Sequence, residues 1–322
     1  MLAAYAAALN PDDPLAGLEV GDRPAPDAPD GWVTVDVEAA SVNHHDVWSL
    51  RGVGLAEDKL PMILGCDAAG TDPDGNPVVV HAVVGDPDHR GDETLDPRLT
   101  LLSEKHPGTL AEQVAVPRRN LVPKPEALSY AEAACLSTAW LTAYRMLFTR
   151  AALQPGQTVL VQGAGGGVAT AAIALGAAAG LQVFATSRDE ERRTRAVEEL
   201  GADGAFEPGA RLPARVDAVI ETVGEATWDH SLKSLKPGGT LVVAGSTSGH
   251  QAVSDLRRVF FLQLNVVGST MGTRDELTQL LAFMAATGAK PTIDRVLPLS
   301  AAAEGLRAVA DGEVFGKVVL QP

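Results

Sequence analysis

One segment limits what this chain can fold into more than any other: Thr158-Val159-Leu160-Val161-Gln162-Gly163-Ala164-Gly165-Gly166-Gly167-Val168-Ala169. An apolar run suited to a strand enters a glycine cluster and leaves as a helix of small residues. Glycines permit a tight turn and close backbone approach, and the helix start presents unpaired N–H groups and the positive end of its dipole. A pyrophosphate requires that combination. Ala169, Ala171 and Ala172 allow the helix to lie close to the sheet. As a pattern the glycine spacing is imperfect, because Ala169 stands where a last glycine is expected; the strand before and the helix after carry the reading. The competing reading is a tight strand–helix turn with no ligand.

Around this loop, strand-like and helix-like segments alternate. Strands are expected at Thr158–Gln162, Leu181–Thr186, Val216–Glu221, Thr240–Ala244 and Asn265–Gly268. Helices are expected at Val168–Gly180, Asp189–Leu200, Thr227–Leu235 and Arg274–Thr287. This implies an α/β fold with a doubly wound parallel sheet of the Rossmann type. Residues 1–120 read differently. Short runs at Trp32–Val37, Pro77–Val84 and Leu110–Val116, separated by Pro, Gly and Asp, indicate a β-rich region, and the apolar start Met1–Leu9 reads as its first strand. Gly85–Lys105 carries six acidic residues and reads as a loop or surface lobe. Ser129 with Glu132 makes a capping-box start for a helix running to about residue 150.

Composition excludes several classes. A net charge of −15 disfavours nucleic-acid binding through the general field. The two cysteines, Cys66 and Cys135, form neither a CxxC motif nor a disulfide framework. No apolar run is long and unbroken enough for a membrane span, and no basic leader is seen, so the cytoplasm is the expected location.

The second strand ends in Ser187-Arg188, where an NAD site usually has an acid for the ribose 2′-hydroxyl. Ser187 can donate to a 2′-phosphate, and Arg188 can pair with it as a planar fork. NADP(H) is therefore favoured. Arg192 lies one helical turn on and could assist, although Arg192, Arg193 and Arg195 each read better as a solvated face.

The chain as a whole resembles the medium-chain dehydrogenase/reductases, and within them the zinc-free quinone oxidoreductase-like branch. The resemblance rests on Ala39–Asp46, Leu64–Gly70, Gly108–Glu112, Asn120–Pro125, Leu141–Tyr144, Leu235–Gly239 and Gly316–Val319. It implies a GroES-like, β-rich catalytic domain at residues 1–121 with a C-terminal return at 290–322, a Rossmann domain at 122–289, and an active site in the cleft between them. It also implies cofactor contacts from Thr142, Gly163, Gly165, Gly166, Gly167, Val168, Ser187, Arg188, Val223, Gly245, Ser246, Ser269, Thr270 and Met271, and a homodimer paired edge to edge near Val259–Val267.

Zinc-dependent relatives hold catalytic zinc at positions that match Asn43, Cys66 and Thr138 here. Of these only Cys66 is a good ligand, and one thiolate does not hold zinc. The segment Gly85–Lys105 lies where zinc alcohol dehydrogenases carry four cysteines, and it has none. No metal is expected. Hydride transfer then suits a quinone or enone, which spreads the developing charge. Candidate hydrogen-bond donors are Asn43, His44 and His45. For His44, a catalytic role and a contact with cofactor phosphate or Asp46 remain equally open. Asp46 reads as a structural acceptor, Asp67 as the partner of a core base, and Cys135 as helix packing. Rival readings are an alcohol dehydrogenase or enoyl reductase on this fold, and a non-catalytic NADPH-binding protein.

Overall fold

The structure, a computed structural model, describes residues 1–322. The chain forms two compact units: Met1–Leu141 with Met271–Ala286 and Ile293–Pro322, and Thr142–Thr270 with Thr287–Thr292.

The first unit is built on a seven-stranded sheet. Its order is Leu121–Pro123, Pro77–Val80, Asp67–Thr71, Trp32–Val42, Lys317–Gln321 and Ile293–Pro298, with Gln113–Pro117 also paired to Trp32–Val42. Along Trp32–Val42, Val33, Val35 and Val37 point inward at every second residue, as the two-residue repeat of a strand dictates. They pack with Leu50, Leu64, Leu110, Leu306 and Leu320. The last two strands are parallel, and the helix Ala302–Ala310 makes the crossover that parallel neighbours require. Neither Ile293–Pro298 nor that helix was marked in the sequence. The acidic lobe is ordered: Thr100–Leu101 pairs with Val83–Val84, and the Asp96 carboxylate accepts from the Asp86 N–H.

The second unit holds a six-stranded, wholly parallel sheet. From one edge the strands are Gly204–Phe206, Gln182–Thr186, Thr158–Val161, Val216–Glu221, Leu235–Val243 and Asn265–Gly268. Counted from Thr158–Val161 this is the order 3-2-1-4-5-6 of dinucleotide-binding sheets. Strand Thr158–Val161 is buried along its whole length, as a strand covered on both faces must be.

The units divide the chain at different places from those expected. Residues 122–141 pack on the β-rich unit, where the Ser137 hydroxyl donates to the Val80 carbonyl at 2.5 Å. The expected single helix there is Tyr130–Ala133 followed by a π-helical turn, Leu136–Trp140, then Leu141–Tyr144 and a second π-helical turn, Arg145–Arg150. The helix Arg274–Thr287 forms as expected, but Met271–Ala286 group with the β-rich unit. The reason is local: the Arg274 guanidinium donates to the Leu121 carbonyl at 3.2 Å, and the Arg274 N–H donates to Glu93. No helix is long and apolar enough to cross a membrane.

A buried charge ties the C-terminal return to the N-terminal strands. Lys317 Nζ donates to the Val42 carbonyl at 2.9 Å and to Asn43 Oδ1 at 2.5 Å, and pairs with Asp67 Oδ2 at 3.2 Å. Ser41 and Asn43 donate to the same carboxylate oxygen, at 2.9 and 2.7 Å. Removing one partner leaves an uncompensated charge in the core, which costs roughly 3–5 kcal/mol. Lys317→Met is therefore expected to lower the stability of the β-rich unit by about that amount in urea unfolding, with Lys317→Met/Asp67→Asn recovering part of it. A Lys317→Met chain as stable as wild type would refute this role.

Candidate functional site

The glycine loop is shaped as a cradle. Gly163 and Gly165 have φ of +77° and +133°, conformations that side-chain-bearing residues rarely adopt. Gly166 is the N-cap of helix Gly167–Ala178 and makes no side-chain cap hydrogen bond, so the helix start, including Val168, is open to an anion. A Cβ on Gly166 would meet nothing within 4 Å, whereas one on Gly163 would lie 2.7 Å from Val223 Cγ2. Val223 thus packs against the loop. It is placed by Glu221, a fully buried carboxylate that accepts from the Val223 and Gly224 N–H groups and from Thr227 and Ser231. These features fit a dinucleotide pyrophosphate.

Ser187 is buried directly after strand Gln182–Thr186, and its hydroxyl accepts from the Asp189 N–H at 3.2 Å. Arg188 is exposed, and no hydrogen bond or ion pair engages its guanidinium. The neighbouring arginines divide. Arg193 donates to the Ser187 and Arg188 carbonyls and so braces this turn. Arg195 pairs with Glu199 one helical turn on, as a solvated face does. Arg192 departs from that reading: its side chain lies over the loop, and a Cβ on Gly165 would come within 2.9 Å of Arg192 Nη1. Sequence spacing left an assisting role open for it as the weaker reading, and its position against Gly165 comes from tertiary packing.

Of the other expected cofactor contacts, Gly245 and Ser246 follow strand Leu235–Val243, and Gly245 lies against Thr222. The Ser269 N–H donates to the Val243 carbonyl at 2.8 Å, which sets Ser269 and Thr270 beyond the strand Asn265–Gly268. Thr142 is buried at the start of the unit. Met271 belongs to the β-rich unit, where it packs with Cys66, Ala82, Val83 and Leu101.

In the β-rich unit, Asn43, His44 and His45 sit at the start of helix His44–Leu50. Their side chains do different things. The Asn43 amide is engaged at both ends, donating to Asp67 and accepting from Lys317. Asp46 closes the capping box on the Asn43 N–H at 2.8 Å and accepts from the Gly65 N–H at 3.0 Å, the structural part expected of it. Burial, with the nearby Asp67 charge, raises the Asp46 pKa against His45, the Asn43 N–H and Lys317. The His44 ring makes no hydrogen bond. Its ring stands edge-on to Trp48, centroids 5.5 Å apart, and burial with the Arg51 cation lowers its pKa.

His45 turns away from His44, as successive helical residues must. Its Nε2 meets Glu104 Oε1 at 2.9 Å and its Nδ1 meets Cys66 Sγ at 3.5 Å. Burial opposes the charged imidazole, but Cys66, Glu104 and Asp46 together outweigh it and hold the His45 pKa well above the usual histidine value. Glu104 comes from the acidic lobe, and nothing in the sequence marked it. Asp67 finds its base in Lys317. Cys135 is buried, donates to the Ala131 carbonyl at 3.2 Å, and has its thiol pKa pushed up to about 12 by desolvation.

Comparison with known proteins agrees with this geometry. Residues 29–126 match the family "Alcohol dehydrogenase GroES-like domain", and residues 167–286 match "Zinc-binding dehydrogenase". The zinc-type alcohol dehydrogenase-like protein YogA of Leptosphaeria maculans is 30% identical, over 94% of each chain. The crystal structure of an NAD-dependent alcohol dehydrogenase superposes with a TM-score of 0.92 at 34% identity, covering 100% of both chains. A 2-octenoyl-CoA carboxylase reductase in complex with NADP and 2-octenoyl-CoA gives a TM-score of 0.92 at 27% identity, over 99% of this chain and 87% of that one. The chain belongs to the medium-chain dehydrogenase/reductase superfamily, with its GroES-like and Rossmann-type domains, and it is an oxidoreductase of that type.

The raised His45 pKa has a consequence for stability. A group whose pKa rises on folding stabilises the fold fully below its unfolded value, about 6.5, and loses that contribution as pH climbs through the raised value. The melting-temperature difference between wild type and His45→Asn is expected to be largest near pH 6 and to shrink toward pH 9. A difference that stays flat or grows with pH would count against the assignment.

Proposed function

We propose that this protein is an NADPH-dependent reductase of conjugated carbonyl compounds, quinones or enones, that works without zinc. The observation that carries the reading is how the side chains at the zinc-ligand positions of relatives are used. Asn43 is engaged by Asp67 and Lys317, Cys66 stands against His45, and no group of three or more His, Cys, Asp or Glu side chains is placed to hold a metal ion. A simple ketone must develop alkoxide charge, and each missing oxyanion donor raises that barrier by about 3–4 kcal/mol. A conjugated acceptor spreads the same charge over several atoms. The complex of a relative with 2-octenoyl-CoA, a conjugated thioester, supports that acceptor class, while relatives titled alcohol dehydrogenases keep simple alcohols as the rival.

Bound NADPH supplies the hydride. The chain's own residues do the rest. The Gly163–Gly167 loop and the helix start at Val168 hold the pyrophosphate. Ser187 and Arg188 take the 2′-phosphate, with Arg192 beside the loop as a further cation. Val223, Gly245 and Ser246 line the path of the dinucleotide, and Thr142, Ser269 and Thr270 border its nicotinamide end. His45, which keeps its proton to higher pH than an ordinary histidine, donates it to the reduced acceptor, and Glu104 stabilises the charged imidazole. Asn43 positions Asp67, and His44 is a poor proton carrier because its pKa is lowered. The protein works in the cytoplasm as a homodimer. The edge strand Asn265–Gly268 leaves one side unpaired, and Leu256, Phe260, Phe261 and Val266 nearby are exposed, which suits pairing with a second copy.

Three measurements test this. Steady-state NADPH oxidation should be faster with quinones or enones than with any simple ketone, and faster turnover of unactivated ketones or alcohols would sink the proposal. Arg188→Ala should weaken NADPH binding by roughly 1.5–3 kcal/mol, the range for a hydrogen bond to a charged group, and leave NADH nearly unchanged; equal loss for both would make Arg188 structural. Light scattering should give twice the chain mass, and Val266→Lys should shift it toward one.

A further inference from the structure

The reductase reading uses His45 as a proton carrier and leaves unexplained why a thiol faces it. Cys66 follows Gly65 at the start of strand Asp67–Thr71, with its Sγ 3.5 Å from His45 Nδ1, 3.6 Å from Ser103 Oγ and 3.2 Å from the Leu102 carbonyl, to which it donates. On the far side of the imidazole, Nε2 is held by Glu104 at 2.9 Å. The three groups lie in line with the imidazole in the middle, which is the arrangement of a proton relay rather than of ligands converging on one point. Gly54 belongs to the same construction, because a Cβ there would collide with the Glu104 carboxylate. The second cysteine is a built-in contrast, since Cys135 meets no imidazole and its thiol pKa is about 12.

We propose that Cys66, His45 and Glu104 form a nucleophilic thiol site that adds covalently to the β-carbon of small, uncharged conjugated carbonyl compounds. Cys66 attacks as the thiolate, its proton already held on His45 Nδ1, and Glu104 stabilises the imidazolium. The Sγ–Cβ bond forms as the C=C π pair shifts toward the carbonyl, and the α-carbon then takes the proton back from His45. The product is a thioether; no net oxidation or reduction occurs, and no cofactor takes part. The Glu104 carboxylate at Nε2 favours the charged imidazole that faces the sulfur. Size selection follows from burial: Cys66 is 1% exposed, while the His45 and Glu104 side chains each keep 22% of their surface open. The surrounding Ala82, Val83, Leu101 and Met271 are apolar, which disfavours charged reagents.

The test uses methyl vinyl ketone on the native full chain, with no nicotinamide present, read by intact mass and peptide mapping. One adduct is expected, on Cys66, with Cys135 modified only after unfolding. His45→Asn and Glu104→Gln should each slow the reaction by about tenfold or more, with far-ultraviolet circular dichroism reporting that they are folded. Wild type gives a check that needs no variant: at pH 6, Cys66 should react faster than N-acetylcysteine. No adduct, first labelling at Cys135, unchanged rates in the folded variants, or a rate below that of N-acetylcysteine would each overturn the proposal. Because the measurement omits NADPH, its failure leaves the reductase reading standing, and failure of the acceptor panel leaves this site standing.

Discussion

The β-rich unit depends on one buried cation. Lys317 is 2% exposed, and an ammonium out of water is tolerable only when its partners are fixed in advance. Three oxygens meet it, from Val42, Asn43 and Asp67. Those residues lie on two adjacent strands and at the start of the helix that carries His44 and His45. The charge therefore fixes the register between the C-terminal strand and its neighbours, and it fixes the helix start as well. Asn43 is held, Asp46 caps, and His45 is aimed at Cys66 and Glu104 because the first turn of that helix has no freedom left.

The same logic separates groups that hold the structure from groups with chemical capacity to spare. Asn43, Asp46 and Asp67 are each engaged by buried hydrogen bonds. His45 is different, since both ring nitrogens face groups that change its proton affinity. In the Rossmann-type unit Glu221 is the analogue of the structural group: its carboxylate accepts from two backbone N–H groups and two hydroxyls, and so shapes the turn that backs the glycine loop.

What the sequence made legible follows the range of the interactions. The glycine loop, most of the alternating strands and helices, the Ser129 capping box and the divergence of His44 from His45 are set within a few residues and formed where expected, whereas the edge strand Gly204–Phe206 and the capping box of Asn43 with Asp46 were not marked. The partner of Asp67 was anticipated as a base but not as Lys317, which lies 250 residues away. Glu104 was hidden in an acidic stretch that reads as solvated surface. The helix face of Arg192 is visible in the spacing, but its closeness to Gly165 is set by tertiary packing. The strand Ile293–Pro298 escaped because only Ile293, Val296 and Leu297 in it are apolar, and its register is set by pairing with Lys317–Gln321 rather than by its own pattern.

The position of strand Lys317–Gln321 also constrains the order in which the molecule can be assembled. It lies between Trp32–Val42 and the edge strand Ile293–Pro298, so the main sheet of the β-rich unit lacks both strands until residues 293–321 have been synthesised. During that interval Asp67 lacks its counter-charge, and the edge of Trp32–Val42 is open to misplaced pairing. The six parallel strands, by contrast, all come from the uninterrupted stretch 158–268. A ribosome therefore releases the parallel sheet before the other unit can close, and the nascent chain must keep its first hundred residues from aggregating until strand Lys317–Gln321 emerges.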